Sequence, residues 1–326
     1  MRFGVGHFTL QRAPGESRTF QELYRDLLSL VKEADEAGLD SIWLTEHHFA
    51  PDGYLAAPIP VAAAVLAATA RLTVAPGLLA PLHHPLRLAA DLAVLDVLFA
   101  GRLVVGFGTG FRREEYSGLH IPFEEATSRL EETLDILDVA RNGEPFDHHG
   151  PAFHFNGAQV VPAPATPGGL RLVMTGGSEA AALRAAHRRA MFMCDPAAHW
   201  NELTRLVGLY DAASSAPDLD LPLFCYGFIA DSDPWGIMRE GFLYLRRTYD
   251  GWMGRTEPSS EDPASYRLMV GSRADVVEQV LALRDRFGDR THVVLRLDYP
   301  GMNRPTVAAA IRAYAEVAET VRHTKT

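Results

Sequence analysis

Ionisable side chains follow directly on an apolar segment near residue 45. Residues 40–44 read Asp-Ser-Ile-Trp-Leu, and Glu46, His47 and His48 come just after them. An imidazole titrates near neutral pH, so it can accept and return a proton during a reaction. A lone histidine at such a position is more often a capping or solvated residue. Two histidines beside a glutamate favour a catalytic site.

The elements around this segment indicate where such a site would lie. Residues 23–37 carry apolar side chains at the spacing of one helix face, Gly38 ends that helix, and residues 40–44 begin a buried strand. A helix that leads into a buried strand is half of a βα unit. In closed βα barrels the catalytic groups lie at the carboxyl ends of the strands. We therefore expect His47 at the mouth of such a barrel.

Strand-like and helix-like segments alternate along the whole chain of 326 residues. We predict strands at residues 2–6, 40–44, 72–75, 102–107, 170–174, 190–194, 221–229 and 292–297. This is the count of an α/β fold of the (β/α)8 TIM barrel type, although a doubly wound open sheet shows the same alternation. The prediction is a single barrel domain over residues 1–326. Two loop insertions, at about 142–169 and 249–270, interrupt it, and the first is long enough to hold a hairpin.

The glycines after the fourth predicted strand resemble a dinucleotide-binding loop. Gly106, Gly108 and Gly110 have the wrong spacing for that loop, however, and no helix opens directly after them. Glycines at a strand end also let the backbone approach a flat ligand closely. Together with the strand count, this favours the barrel.

Composition limits the class of ligand. The formal net charge is −10 at pH 7 and there is no basic run, so we expect no nucleic-acid or membrane-surface partner and a small-molecule substrate. The apolar runs are too short to span a bilayer, and Cys194 and Cys225 are expected to be free thiols. These features predict a cytoplasmic protein. Neither His83-His84 nor residues 147–149 bring the further ligands of a metal site, so we predict no metal.

Four motifs, in order over about residues 1–320, resemble the bacterial luciferase-like family of flavin-dependent monooxygenases. They are residues 43–49, residues 84–87 with Leu95-Asp96, residues 101–110, and residues 161–164 with 174–178. The resemblance implies a (β/α)8 barrel that holds reduced FMN at the carboxyl ends of its strands and activates O2. It also implies that His47 is the catalytic base and that Glu46 and His48 set its tautomer and orientation.

The same resemblance implies which residues hold the flavin. The strand end Pro76, Gly77 and Leu78 would pack against the flavin ring, often through a cis peptide in the family. The remaining cofactor residues are Gly108, Thr109, Thr175, Gly176, Gly177 and Ser178. The last four join a strand to a helix whose amides could bind the phosphate, and an ordinary N-cap by Ser178 is the alternative.

Thr109 stands where luciferase proper has a phosphate-binding arginine, and Gly108 stands where it has a cysteine. Either flavin affinity is weak, or Arg112, Arg113 or Arg129 replaces the arginine. These departures argue against light emission from a long-chain aldehyde.

The functional hypothesis is a two-component monooxygenase that receives FMNH2 from a separate flavin reductase and oxidises a small organic substrate. An aromatic polyketide or another secondary metabolite, as in antibiotic biosynthesis, is the substrate hypothesis. The alternatives are an F420-dependent oxidoreductase and a non-catalytic flavin-binding family member. Aromatic residues in and around 249–270 suggest a mobile lid, with extra core packing as the alternative. The apolar helix at 58–70 suggests a homodimer.

Overall fold

The computed structural model describes residues 1–99, 101–255 and 259–324. The strands are β1 (Arg2–Phe8), β2 (Ser41–Leu44), β3 (Thr73–Leu79), β4 (Val104–Gly108), β5 (Phe146–His149), β6 (His154–Ala158), β7 (Arg171–Gly176), β8 (Met191–Cys194), β9 (Leu221–Ile229), β10 (Leu268–Gly271) and β11 (Thr291–Arg296). The helices are α1 (Phe20–Glu36), α2 (Pro58–Ala68), α3 (Pro85–Phe99), α4 (Arg113–Gly118), α5 (Ala126–Ala140), α6 (Glu179–His187), α7 (Trp200–Ala213), α8 (Pro234–Trp252), α9 (Arg273–Phe287) and α10 (Arg304–His323).

Nine strands form one parallel sheet in the order β10-β9-β11-β1-β2-β3-β4-β7-β8. The sheet curls, so that β8 at one end lies alongside β9 near the other. Strands such as β2 and β9 are buried along their whole length, as expected when helices cover a parallel sheet. All carboxyl ends of the strands therefore meet at one edge. The prediction of an α/β fold built on parallel strands is confirmed.

The eight predicted strands are all present, with shifted end-points, and the two irregular segments contain further structure. Within the first segment, β5 and β6 form an antiparallel hairpin. The second segment was placed too broadly, because α8 extends to Trp252 and β10 pairs in parallel with β9 from residue 268. A four-residue strand is too short to show a periodic pattern. Residues 256–258 of this predicted insertion, and residues 325–326 of the predicted domain, lie outside the described residues.

Three hydrogen-bonded side chains lie inside the curled sheet, on β2 and near the start of β11. The indole Nε1 of Trp43 donates to Oγ of Ser41 (2.9 Å), and this Oγ lies 2.8 Å from Nε2 of His292. Gly4 leaves room for the chain, since a Cβ there would lie 2.2 Å from the Ser41 hydroxyl. These contacts show which face of each strand points inward: odd-numbered residues on β2 and even-numbered residues on β11.

Cys194 and Cys225 are both buried free thiols. Across the described ranges, no helix has both the length and the apolar character that a bilayer crossing needs.

Candidate active site

His47 lies just beyond β2, and its ring is held by a carboxylate from α4. Its side chain is buried, and Nδ1 lies 3.0 Å from Oε1 of Glu115, which is fully buried. The backbone N–H of His47 donates to the carbonyl oxygen of Leu55 at 3.0 Å. A carboxylate at Nδ1 favours the tautomer with a proton there and leaves Nε2 as the basic nitrogen. Nε2 makes no hydrogen bond with any described residue.

Arg112 balances the charge of the Glu115 carboxylate. Its Nη1 lies 3.2 Å from Oε1 of Glu115 and donates to the carbonyl oxygen of His48 at 2.6 Å. The guanidinium also lies 4.0 Å from the ring centroid of Trp252, a cation–π contact. Because Arg112 is buried in this network, it is no longer a candidate for binding the flavin phosphate.

Four aromatic rings enclose the imidazole of His47. The ring centroids lie 4.9 Å away for Tyr54, 5.4 Å for Phe111, 5.8 Å for Tyr249 and 4.9 Å for Trp252. The hydroxyl groups of Tyr54 and Tyr249 are 2.6 Å apart. Burial raises the pKa of Tyr54 to about 12 and the pKa of Tyr249 well above its ordinary value, so both stay protonated near neutral pH.

Glu46 and His48 do not contact the His47 ring, contrary to the prediction. Oε1 of Glu46 lies 2.7 Å from Nε2 of His48 and 2.9 Å from Nε2 of His83. The side chains line a cavity of about 440 Å³ between α2 and α3, outside the curled sheet. Alternate residues of an extended chain point to opposite sides, so the neighbours of His47 face away from it. Glu115 takes the orienting role that was assigned to them.

Glu46, His48 and His83 form a charged cluster of their own. Burial disfavours the ionised form of Glu46, but hydrogen bonds from His48 and His83 outweigh it and lower the pKa of Glu46 to about 2. Burial likewise opposes protonation of His48, and the hydrogen bond to Glu46 outweighs it, so the pKa of His48 is raised. The backbone N–H of Leu79 donates to Oε2 of Glu46 at 2.7 Å. The cluster joins the carboxyl ends of β2 and β3.

Pro76, Gly77 and Leu78 lie in β3, beside the carboxyl end of β2. A Cβ at Gly77 would lie 3.1 Å from the carbonyl oxygen of Leu44, so the two strands approach closely. All three peptide units are described and none is cis; among the described residues the cis bonds are Gly6-His7 and Val161-Pro162. The cis peptide that is frequent in the family at this strand end is therefore not present here.

Gly108, Thr109 and Thr175 come together at the ends of β4 and β7. A Cβ at Gly108 would lie 2.8 Å from the Thr175 hydroxyl, which donates to the carbonyl oxygen of Phe107 at 3.1 Å. The hydroxyl of Tyr116 donates to the carbonyl oxygen of Thr109. Strand packing therefore already accounts for the glycine at position 108.

Gly176, Gly177 and Ser178 connect β7 to α6. Oγ of Ser178 accepts a hydrogen bond from the backbone N–H of Ala181 at 3.2 Å, so Ser178 is the N-cap of α6. A Cβ at Gly176 would lie 2.7 Å from the Ala181 side chain, which explains that glycine. The backbone N–H groups of Glu179 and Ala180, the first two of α6, have no carbonyl partner within the helix, so they remain available to an anion.

Arg113 and Arg129 lie in different surroundings. Arg113 is exposed and pairs with Glu124 at 3.1 Å. Nε of Arg129 donates to the carbonyl oxygen of Pro81, just after β3, at 3.2 Å. Arg129 is near the start of α5, which contacts α6 through a Glu131–Arg184 ion pair of 2.5 Å. Of the two arginines, Arg129 is the one beside the strand ends.

Another cavity, of about 900 Å³, lies at the amino-terminal ends of β7 and β8, where Arg171 and Met191 line it. No predicted site residue borders it. It is separate from the His47 site.

The model of the luciferase-like monooxygenase family matches residues 1–290 of the chain. The chain belongs to the luciferase-like monooxygenase family. The resemblance carried by the four sequence motifs is thereby confirmed, and so is the class of enzyme that it implied.

Curated relatives of this luciferase-like monooxygenase are moderately similar. The alkanal monooxygenase alpha chain of Photorhabdus luminescens is 24% identical over 284 residues, covering 85% of this chain and 78% of that protein. The 4-hydroxyprotoasukamycin monooxygenase of Streptomyces nodosus subsp. asukaensis is 24% identical over 277 residues, covering 79% and 74%. The uncharacterized protein y4vJ of Sinorhizobium fredii is 31% identical over 145 residues, covering 44% and 41%. The chain thus spans less than half the length of this last relative.

Solved structures share the fold of the luciferase-like monooxygenase. Monooxygenase RslO1 from Streptomyces bottropensis has a TM-score of 0.85 at 24% identity, covering 98% of this chain and 99% of that one. The oxygenating constituent of 3,6-diketocamphane monooxygenase from Pseudomonas putida, in complex with FMN, has a TM-score of 0.81 at 20% identity and the same coverage. An F420-dependent secondary alcohol dehydrogenase has a TM-score of 0.77 at 16% identity, covering 98% and 99%.

Proposed function

We propose that the chain is a monooxygenase that uses reduced FMN and O2 to oxidise a small organic substrate. One observation carries the proposal: a buried histidine at a strand end has Nδ1 held by Glu115 and Nε2 left free inside an aromatic enclosure. Such an imidazole can act as a base because its second nitrogen is fixed. We also propose that β1–β4, β7–β9 and β11 form a closed (β/α)8 barrel in one domain, with the other strands as insertions.

The residues present fit a flavin. Gly77 and Gly106 let β2, β3 and β4 approach closely, since a Cβ would lie 3.1 Å from the carbonyl oxygen of Leu44 at position 77 and 3.2 Å from Cα of Gly77 at position 106. We propose that the carboxyl ends of these closely packed strands support the flavin ring. The amides at the start of α6 and the guanidinium of Arg129 would hold the phosphate, with Ser178 both capping the helix and contacting the anion. A reduced flavin, when bound, supplies the electrons that activate molecular oxygen.

The protein's own residues then have three tasks. His47 accepts a proton at Nε2 and returns it, while Glu115 keeps the proton on Nδ1 and stabilises the imidazolium. Tyr54, Tyr249 and Trp252 exclude water from the imidazole. We propose that the α8 end and the segment that follows it are the lid, since Tyr249 and Trp252 cover His47 directly.

The reduced flavin would come from a separate reductase, as the hypothesis of a two-component system requires. A relative from Acinetobacter baylyi, 29% identical over 170 residues, is named as the oxygenase component of a trigonelline monooxygenase. The relative named 4-hydroxyprotoasukamycin monooxygenase supports a substrate from secondary metabolism. Exposed apolar side chains on α3 support a homodimer.

Use of F420 is the second candidate, because an F420-dependent dehydrogenase shares the fold. Titration of the protein with FMN, FMNH2 and F420, followed by fluorescence, separates the two. We expect tighter binding of FMNH2 than of F420, oxygen uptake with FMNH2, and loss of turnover in His47→Ala. Preference for F420, or a His47→Ala variant with full activity, would contradict the proposal. A non-catalytic member would bind flavin without oxygen uptake above the free-flavin rate.

A further inference from the structure

Arg296 is a buried cation at the same edge of the sheet as His47. It is the last residue of β11, and only 2% of its surface is exposed. The ring of His292, four residues earlier on the same face of β11, bonds to Ser41 inside the curled sheet. Nη2 of Arg296 donates to Oγ of Thr9, just after β1, at 3.0 Å. The guanidinium therefore faces the interior near the carboxyl ends of the strands.

This guanidinium has no close counter-ion. Its Nε donates to the backbone carbonyl of Asp298 at 2.9 Å, and its carbon lies 5.4 Å from the Tyr299 ring centroid. No carboxylate oxygen of the described residues lies within 4.0 Å of it, and Nη1 makes no hydrogen bond with them. A buried charge is costly unless an opposite charge or a full set of hydrogen bonds compensates it.

A second buried arginine, Arg267, has a hydrogen-bond acceptor for each of its three guanidinium nitrogens. Arg267 also lacks a carboxylate partner among the described residues, but its three nitrogens donate to the carbonyl oxygens of Phe224 (3.0 Å), Ala198 (3.1 Å) and Asp195 (3.3 Å). Arg267 is a structural link between strand ends. Arg296 donates one hydrogen bond to a carbonyl oxygen and one to a hydroxyl, and its Nη1 donates none to the described residues, so it is equipped to bind a further acceptor.

The groups around Arg296 do not supply that acceptor. Burial, aided by the positive charge of Arg296, lowers the pKa of His7 to about 3, so His7 is neutral. Burial raises the pKa of Asp298 to about 6 and the charge of Arg296 opposes that rise, but the Asp298 carboxyl group makes no hydrogen bond to the guanidinium; only its backbone carbonyl does. Burial keeps Tyr54 and Tyr249 protonated although Arg296 favours their ionisation. Thr9, which accepts a hydrogen bond from Arg296, also accepts the backbone N–H of Leu55, the residue after Tyr54, at 2.8 Å. Arg296 is therefore linked through Thr9 to the segment that packs against His47.

We propose that Arg296 binds an anionic oxygen of the substrate, a carboxylate or phenolate carried on an aromatic ring. The inference rests on the proposed function, since it places the acid group of the substrate beside the His47 site. The rings of Tyr54, Phe111, Tyr249 and Trp252 provide the aromatic surface, and Arg296 provides the charge. A charge-assisted hydrogen bond selects the acid over a neutral analogue of the same shape.

The test compares 2-naphthoate with 2-naphthamide by calorimetric titration of the full chain, with and without FMN. We expect the wild type to bind naphthoate about 10-fold or more tightly than naphthamide, since a hydrogen bond to a charged group contributes this much. Arg296→Met should abolish the preference and Arg296→Lys should keep part of it. Arg113→Met removes an exposed arginine and should change nothing. No preference in the wild type, or a preference retained in Arg296→Met, overturns the inference.

Flavin affinity, measured in parallel by fluorescence quenching, separates the two proposals. Arg296→Met should leave FMN affinity within about 2-fold, because Arg296 is assigned to the substrate. A 10-fold loss of FMN affinity with the naphthoate preference unchanged would assign Arg296 to the flavin and overturn the inference. A wild type that binds no FMN but prefers naphthoate would overturn the proposed function alone. Circular dichroism checks that each variant folds, and Arg296→Lys carries the test if Arg296→Met does not.

Discussion

Oε1 of Glu115 lies 3.0 Å from Nδ1 of His47, although the two residues are 68 positions apart in the chain. The carboxylate also accepts the backbone N–H of His48 at 2.8 Å and is paired with Arg112. One buried group therefore fixes the ring, the backbone after β2 and the loop before α4. Replacing Glu115 should therefore impair both proton transfer at His47 and the stability of the fold, and the two effects can be measured separately.

Glu115→Gln should lower the turnover rate by about 100-fold, because an amide can stabilise the wrong tautomer of His47 and cannot stabilise its protonated form. The pH profile should change shape as well, since the basic nitrogen is no longer fixed. The measurement is stopped-flow oxidation of bound reduced FMN across a pH series.

Loss of the Glu115 charge should also lower the free energy of unfolding, by about 3 kcal/mol, since Arg112 is left buried without its carboxylate. Glu114→Gln, on the exposed neighbour, is the control and should match the wild type in both measurements. Equal turnover in Glu115→Gln and Glu114→Gln would remove Glu115 from the mechanism.

Stability in acid should depend on Glu46. Its pKa is lowered from 4.5 to about 2, so its ionised form stabilises the fold above pH 4.5, and that contribution is lost as the pH falls toward 2. For a buried group the contribution is about 2 to 3 kcal/mol. The pKa of His48 is raised, so its contribution is present below pH 6.5 and is lost as the pH rises through the folded-state value.

Urea denaturation at a series of pH values tests this. Glu46→Gln should lose less stability than the wild type between pH 4.5 and 2, whereas Glu36→Gln, which is exposed, should follow the wild type. Parallel curves for wild type and Glu46→Gln would contradict the expectation.

The phosphate proposal predicts a loss of discrimination between FMN and riboflavin, which differ only in that group. Ser178→Ala and Arg129→Met should each weaken FMN binding by about 10-fold and leave riboflavin binding unchanged, since a charge-assisted hydrogen bond is lost. Ser178→Ala should also cost about 1 kcal/mol of stability as a lost N-cap. Arg113→Met serves as the control. A stability loss without a change in FMN preference would leave Ser178 as a cap only.

The lid proposal predicts that flavin protects residues 249–270 from limited proteolysis. Trp252→Ala removes contacts with Arg112 and His47, so the segment should be cut faster and flavin should protect it less. Trp235→Ala, at the other end of α8, is the matched control. If flavin leaves the wild-type cleavage rate unchanged, the segment is extra packing and not a lid.

The homodimer proposal predicts that α3 lies at the interface. Val94, Val97 and Leu98 are 43%, 44% and 64% exposed on this helix. Leu98→Glu should shift the protein toward monomer in analytical ultracentrifugation, because a charge would be buried against apolar side chains. Val139→Glu, at an exposed position on α5, should have no effect. A wild type that sediments as a monomer would exclude the proposal.

The strands could be predicted from the sequence because buried parallel strands are continuous apolar runs, as Leu221–Ile229 shows. Short elements could not be predicted in this way. Strand β10 has four residues, and neither its length nor its composition distinguishes it from a loop. The position of His47 at a strand end also followed from the local sequence. The long strands and the position of His47 could be predicted because they depend on residues that are close together in the sequence.

The residues that contact the His47 ring could not be predicted from the local sequence, because these contacts join segments that are distant in the chain. Glu115 lies in a polar stretch where nothing marks it as buried. The family resemblance implied orienting roles for Glu46 and His48, although the alternation of side chains in an extended segment already places them on the opposite side from His47. Nothing in the sequence indicated that Arg296 is buried, since an arginine that ends a strand is usually solvated.

The chain of Trp43, Ser41 and His292 has a kinetic consequence. Burial and the nearby Arg2 and Arg171 hold the pKa of His292 well below its ordinary value, so these three side chains carry no charge near neutral pH. Under the proposed function, we therefore expect reduced flavin, O2 and substrate all to enter from the carboxyl ends of the strands. A shared route predicts that they bind in a set order, with the flavin before the substrate.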